Sequence, residues 1–489
     1  MGWRESRRPL KHRRSGRPRA AGQNPEPARA LTSVPVRPYP RLSLRPARRA
    51  VPEKKPEENR KKNKTTRTIQ RQRQFLVSTA TPSRLSELRP VLPILLGASV
   101  MLSLAMGLRQ SLGIFMPPLT RGIGISVADF TAAIAVQNLA WGLLQPIAGA
   151  WAARVGFRPL MMAGSLLYVL GLVMLATAQG IVGVTLGAGV AIGASMACTG
   201  SAFAMAVAAR PVPVALRSTV LGIVSGAGSL GALVAAPVGQ VVAQAYGWRV
   251  GLAAFVVLAL VMLPAAWFAG RVDRLPLPVP PGGVQQNARE ALGTALHHTP
   301  FLVMGAAYFV CGMQLVFLTT HLPSYLDICG MDPMLSAKAL GVIGGFNVLG
   351  SLFFGWAGGR VNKLLLLGAI YTIRSLALTW YFTSPPTPAS TLVFAAVMGF
   401  LWLGVAPLVA GWIAETFGLR WQAMLGGVAF FSHQIGSFVG AFGGGLVYDA
   451  LGSYTLAWQI GVMLGLAAGL VQIAFAVAAR PRPPRMAAT

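Results

Sequence analysis

Acidic residues are scarce in this chain: 13 Asp and Glu among 489 residues, against 43 Lys and Arg. Charged residues of both signs make up only 11%, well below the roughly 25% of an average soluble domain. That excludes a water-soluble globular fold for most of the length. Cysteine is nearly absent as well. Cys198, Cys311 and Cys329 stand far apart without CxxC or metal-ligand spacing, which excludes a disulfide framework and a cysteine metal site. No GxxxxGK[ST] loop is present, so ATP does not drive the protein directly. No HExxH or GxSxG motif supports hydrolysis inside a membrane. An enzyme is the least favoured class, and no cofactor or metal is expected.

The excess of positive charge is local. Residues 1–90 carry 25 of the Lys and Arg and 6 of the acidic residues, a net +19 of the total +30. This Arg-, Lys- and Pro-rich segment has no apolar run with which to fold, and is expected to be a disordered tail near an anionic cytoplasmic leaflet. A solvated tail, or sequence from a start codon set too early, is the preferred reading. An organelle-targeting segment and a partner- or nucleic-acid-binding segment are the alternatives. The remaining chain gives no reason to expect a nucleic-acid partner.

What the chain has instead is apolar sequence, 54% of its residues, in runs long enough to cross about 30 Å of hydrocarbon as helices. Charged or Pro-rich breaks delimit spans at 91–117, 129–152, 160–178, 182–208, 217–245 and 250–269. After a polar linker, 270–300, come 301–326, 336–358, 363–383, 391–415, 422–448 and 454–479. The expected fold is an all-α membrane protein of two six-helix bundles, 91–269 and 301–480, with a short C-terminal tail, 481–489. An N-terminus in the cytoplasm gives the inner loops and C-tail Arg154, Arg158, Arg210, Arg217, Arg271, Arg274, Arg289, Arg360, Lys363, Arg420, Arg480, Arg482 and Arg485. The outer loops then hold only Arg121, Arg249 and Lys338. The positive-inside rule therefore puts both termini in the cytoplasm, and the expected location is a cell inner membrane.

The halves repeat one another. Gly149-Ala-Trp-Ala-Ala-Arg154 after span 2 matches Gly355-Trp-Ala-Gly-Gly-Arg360 after span 8, at an offset of 206. Leu216-Arg217 with Gly222 matches Leu419-Arg420 with Gly426, at 203 to 204. Gly107-Leu-Arg109 with Pro117 matches Gly312-Met-Gln314 with Pro323, at 205 to 206. Duplicated six-helix halves suit a carrier that rocks about a midplane site.

The loop Gly149–Arg158 resembles the major facilitator superfamily signature Gly-x-x-x-Asp-Arg-x-Gly-Arg-Arg. Ala153 and Gly359 stand where the family's acidic residue belongs, so a gate must use other groups. Gly107-Leu-Arg-Gln-Ser-Leu-Gly-Ile-Phe, Thr320-His-Leu-Pro-Ser-Tyr-Leu and Ser432-His-Gln-Ile-Gly-Ser-Phe are most similar to the monocarboxylate and oxalate/formate branch. The resemblance implies alternating access, with helices 1, 4, 7 and 10 lining the cavity.

A charge inside the bilayer costs at least about 2.5 kcal/mol, so each one needs a reason. Arg109, in the outer half of span 1, is the candidate for holding a substrate carboxylate through two parallel hydrogen bonds. Its repeat partner Gln314 is a candidate for substrate hydroxyl or carbonyl groups. His433, near the middle of span 11, is a candidate for binding and for carrying a coupled proton. His321 is expected near the outer mouth. Asn138 is a secondary binding candidate, its plainer role being interhelical bonding, as for Gln137, Gln145 and Asn347. Arg374, in helix 9, is expected to pair structurally. Arg154, Arg158, Arg360, Glu415 and Arg420 are the gating candidates, with Glu415 reaching Arg360 or Arg420. The expected partners are a small organic anion, a monocarboxylate, with or without a coupled proton, and membrane lipids. A multidrug or other small-solute exporter is the alternative, and a transporter-like sensor is the alternative of another class.

Overall fold

A computed structural model of the chain describes residues 86–277 and 286–478. Of the tail expected to be disordered, 1–90, residues 1–85 lie outside the described residues, while 86–90 belong to a 3-10 turn, Ser86–Val91, that leads into the first span; the C-terminal tail, 481–489, also lies outside them. Among the described residues, twelve helices are long and apolar enough to span a membrane. In the first half they are α1 (Leu88–Ile123), α2 (Val127–Val155), α3 (Phe157–Ala176), α4 (Ile181–Ala209), α5 (Val214–Tyr246) and α6 (Trp248–Arg274). In the second they are α7 (Thr299–Leu322), α8 (Lys338–Ala357), α9 (Lys363–Thr383), α10 (Pro388–Phe417), α11 (Gln422–Leu451) and α12 (Thr455–Ala478). Every expected span is present. The linker holds one surprise: a short helix, Ala288–Leu296, opened by Asn287, whose side chain accepts from the Glu290 N–H while the Glu290 carboxylate accepts from the Asn287 N–H.

Local chemistry sets the ends and breaks. Ser126 and Asp129 form the same reciprocal cap at the start of α2. Directly after Arg109 and Gln110, α1 tightens into a 3-10 turn, Ser111–Phe115. Two spans loosen into π-turns, α4 at Thr185–Ala191 and α11 at Val439–Gly443.

The repeat in sequence is a repeat in packing. In the first half α1 lies on α5, α2 on α4, and α3 on α6; in the second α7 lies on α11, α8 on α10, and α9 on α12. A single contact shows the correspondence. Gly231 of α5 rests against the Ser103 carbonyl of α1, and Gly436 of α11 rests against the Phe309 carbonyl of α7. Only a hydrogen on the α-carbon permits so close an approach of two backbones.

Between the halves, α2 packs on α11 and α5 on α8. The first seam runs from Gly149 beside Met424, through Gly427 beside Pro146, to Gln434 beside Asn138. The second runs from Gly355 against Gly222 to Ser225, whose hydroxyl lies 3.4 Å from that of Ser351. These contacts all lie toward the end of the bundle where α1 begins. Farther along α8, a side chain added at Gly341, Gly344 or Gly345 would meet nothing within 4 Å. The two halves thus close on each other at one end.

Candidate substrate site

The inner limit of the α2–α11 seam is where the polar side chains collect. Arg109 donates through Nη2 to Asn138 Oδ1, and its guanidinium carbon lies 5.2 Å from the centre of the Trp141 ring. Its Nε is buried and has no hydrogen-bond partner. No described carboxylate lies within ion-pair distance of it. The backbone carbonyl of Asn138 accepts from Gln434 Nε2 at 3.0 Å, which links the two halves. Beside Gln434, the His433 ring stacks on Phe430 (5.4 Å between centroids, 11° between planes) and meets the Tyr308 ring edge-on at 4.9 Å. His433 Nδ1 lies 3.4 Å from both Gln434 Oε1 and Ser437 Oγ. Phe430 closes the ring of groups by packing on Trp141 at 4.5 Å.

Of the expected binding residues, Arg109, Asn138 and His433 therefore share one neighbourhood. Gln314 points elsewhere: it is buried and donates to Ser375 Oγ of α9 at 3.1 Å and to the Gly461 carbonyl of α12 at 2.8 Å. It ties together spans of one half and lines an apolar cavity of about 130 Å³ among α7, α9, α11 and α12. His321 lies in the direction of the far mouth, between Phe317 and Tyr454, with Nε2 2.9 Å from the Ala441 carbonyl in the π-turn of α11. Arg374, 1% exposed, donates to Cys311 Sγ and to the Leu401 carbonyl, both at 3.1 Å, as suits a structural role within the second half.

The gating candidates lie at the closed end. Glu415 Oε1 is 2.7 Å from Lys363 Nζ. Sequence pointed to Arg360 or Arg420 as its partner. Lys363 is in place because Gly411 of α10 leaves room for its stem, which passes where a Cβ would lie. Arg360 donates to the Trp356 carbonyl at 3.2 Å and lies over that residue's ring. Arg420 lies over the Trp421 ring at 5.4 Å, and Arg154 is exposed at the end of α2.

Asp273 is the residue that sequence reasoning passed over. From the end of α6 its carboxylate accepts from the backbone N–H groups of Phe157 and Arg158 at 2.9 and 2.8 Å, at the positive end of α3. Arg210 stands 4.0 Å away and donates to the Leu275 carbonyl. Gly156, at φ 91°, accommodates the carboxylate; a Cβ there would sit 2.7 Å from Asp273 Oδ2. An anion thus caps this loop, although position 153 holds alanine. Trp141, Tyr308 and Phe430 were equally unreadable, since aromatic residues in apolar runs look like packing.

Residues 95–441 match the family model described as Major Facilitator Superfamily. This chain belongs to that family. It is 26% identical to Monocarboxylate transporter 13 of Rattus norvegicus over 376 residues, 75% of this chain and 84% of that protein. It is also 30% identical to Purine ribonucleoside efflux pump NepI of Salmonella paratyphi B over 286 residues, 56% of this chain and 66% of that one. Among solved structures, FucP of E. coli in the outward conformation aligns at a TM-score of 0.61 and 16% identity, over 80% of this chain and 99% of that one. The chain is a multi-pass membrane protein of a transporter family, and its likeness to monocarboxylate transporters agrees with the branch that the motifs suggested.

Proposed function

We propose that this major facilitator protein carries a small organic anion, a monocarboxylate, across a cell inner membrane by alternating access. The observation that carries the reading is the guanidinium of Arg109, held at the seam between the halves with a buried Nε and no described carboxylate beside it. An uncompensated buried charge costs several kcal/mol. A substrate carboxylate arriving between the halves offsets that cost and completes the hydrogen bonding of the planar group. With both termini in the cytoplasm, the closed end faces inward and the site opens outward. His433 lies on the opposite wall and can carry a proton in company with the anion, which makes the carrier a symporter.

The test is uptake of labelled monocarboxylates into proteoliposomes, with and without an inward proton gradient. The parent is expected to accumulate the anion; Arg109→Gln is expected to lose uptake, and His433→Gln to lose its response to the gradient. Hydrogen bonds to a charged group are worth about 1.5–3 kcal/mol, so the Arg109 change should weaken binding by roughly ten- to a hundred-fold. Unchanged uptake by Arg109→Gln would remove the anion reading. The likeness to the nucleoside pump supports a second reading, export of a neutral solute. Transport of nucleosides by both parent and Arg109→Gln would favour it. Binding without flux of any solute would favour a sensor.

A further inference from the structure

On the outer surface of the first half, α1 and α6 touch at their backbones and then part. Gly97 is the point of contact: a Cβ there would lie 2.5 Å from the Ala265 carbonyl oxygen. On either side of this floor the helices raise two apolar rims, Leu92, Leu96 and Val100 on α1, and Val261, Pro264 and Phe268 on α6. The groove between them encloses about 470 Å³, within the size range of ligand sites. Leu96 is 55% exposed and Val261 46%, so neither rim is covered by another helix. Leu92, Leu96 and Val100 follow one another at four-residue spacing and form a straight wall. From Leu92 to Val100 the wall is roughly 12 Å long at about 1.5 Å per residue, close to the depth of one leaflet of a 30 Å core.

The groove is charged at one end only. Arg89, in the first turn of α1, lines its mouth, and the Arg271 guanidinium lies 4.6 Å from the ring centre of Phe268 on the other rim. Neither arginine has a described carboxylate partner. The nearby acid, Asp273, is already bonded to two N–H groups and stands beside Arg210. The surface therefore offers two cations at headgroup level above an apolar channel one leaflet deep.

We propose that this groove is a binding site for one anionic glycerophospholipid, its phosphate between Arg89 and Arg271 and one acyl chain along Leu92, Leu96 and Val100. Charge complementarity selects the occupant: a zwitterionic lipid fills the channel but brings no net charge to the two arginines. The site lies on the lipid-facing side of the bundle, apart from Arg109, and does not depend on which solute is carried.

The experiment is native mass spectrometry of the full chain in detergent with phosphatidylglycerol or phosphatidylcholine added. One phosphatidylglycerol should be retained in preference to phosphatidylcholine. The double variant Arg89→Gln/Arg271→Gln should lose that retention, at roughly five-fold for each arginine and about thirty-fold for both. Arg48→Gln/Arg49→Gln removes the same charge from the tail and should retain the lipid. Val100→Trp fills the channel and should also lose it, with both arginines intact. Free glycerol phosphate should not compete. Equal retention by the Arg89/Arg271 variant, loss in the tail variant, or competition by glycerol phosphate would each overturn the proposal. None of these readouts involves transport.

Discussion

Gln434 Nε2 donates across the seam to the backbone carbonyl of Asn138 at 3.0 Å, while the side chain of that same asparagine accepts from Arg109. One residue thus joins the candidate anion-binding group to the bond that holds the halves together. Gln434→Ala removes the bond and leaves Arg109 in place. A typical hydrogen bond contributes about 1 kcal/mol net, so the closed end should open about five-fold more often. Alkylation of a cysteine placed at Ala202, which faces Gly426 in the closed end, should quicken by that factor. An unchanged rate would detach this bond from the conformational equilibrium.

Gly149 and Gly355 are repeat-related, and each touches the backbone of the opposite half, at Met424 and Gly222. Gly149→Val places methyl groups where that backbone lies, and overpacking of this kind costs typically about 1–3 kcal/mol. The protein should remain folded within each half but fail to close at this end. Flux should fall by roughly five- to a hundred-fold, with the thermal transition still cooperative. Retained flux would show that this approach is not needed for closure.

Lys363 is 7% exposed and Glu415 43%, so the pair is half in water. Such a pair is worth about 1 kcal/mol or less. Glu415→Gln leaves the ammonium without its counter-charge and should lower stability by more than Glu415→Gln combined with Lys363→Met. The cycle, read from thermal unfolding in detergent, checks the sign of the coupling.

Asp273→Ala should cost about 1–2 kcal/mol, the usual range for loss of a carboxylate cap, with part of the loss arising from Arg210. Asp273→Asn keeps an acceptor and should cost less. Equal effects would assign the role of Asp273 to its charge.

The spans were legible because thirty ångströms of hydrocarbon leave little choice of sequence, and the duplication was legible because glycines at close approaches recur at one offset. Side-chain direction was not legible. Gln314 occupies the position equivalent to Arg109, yet it bonds to α9 and α12. The rotation of a helix about its axis is set by neighbours that no local pattern reveals. Sequence put Glu415 at the end of helix 10 within reach of Arg360 or Arg420, but its bond is to Lys363 and depends on the gap left by Gly411 on the same helix. Asp273 resembled any solvated charge in a polar linker; its importance follows from the proximity of the end of α6 to the start of α3.

Arg109 has an electrical consequence. A carrier with an unneutralised guanidinium at its seam moves a positive charge through whatever part of the membrane field it crosses when it returns empty. With a monoanion bound and no proton on His433 the same movement is electrically silent; with the coupled proton also aboard, the loaded carrier keeps the single positive charge of the empty one. One charge crossing the full field is worth about 2.3 kcal/mol per 100 mV, so voltage bears on the unloaded half alone only if the proton stays behind, and on both halves alike in symport.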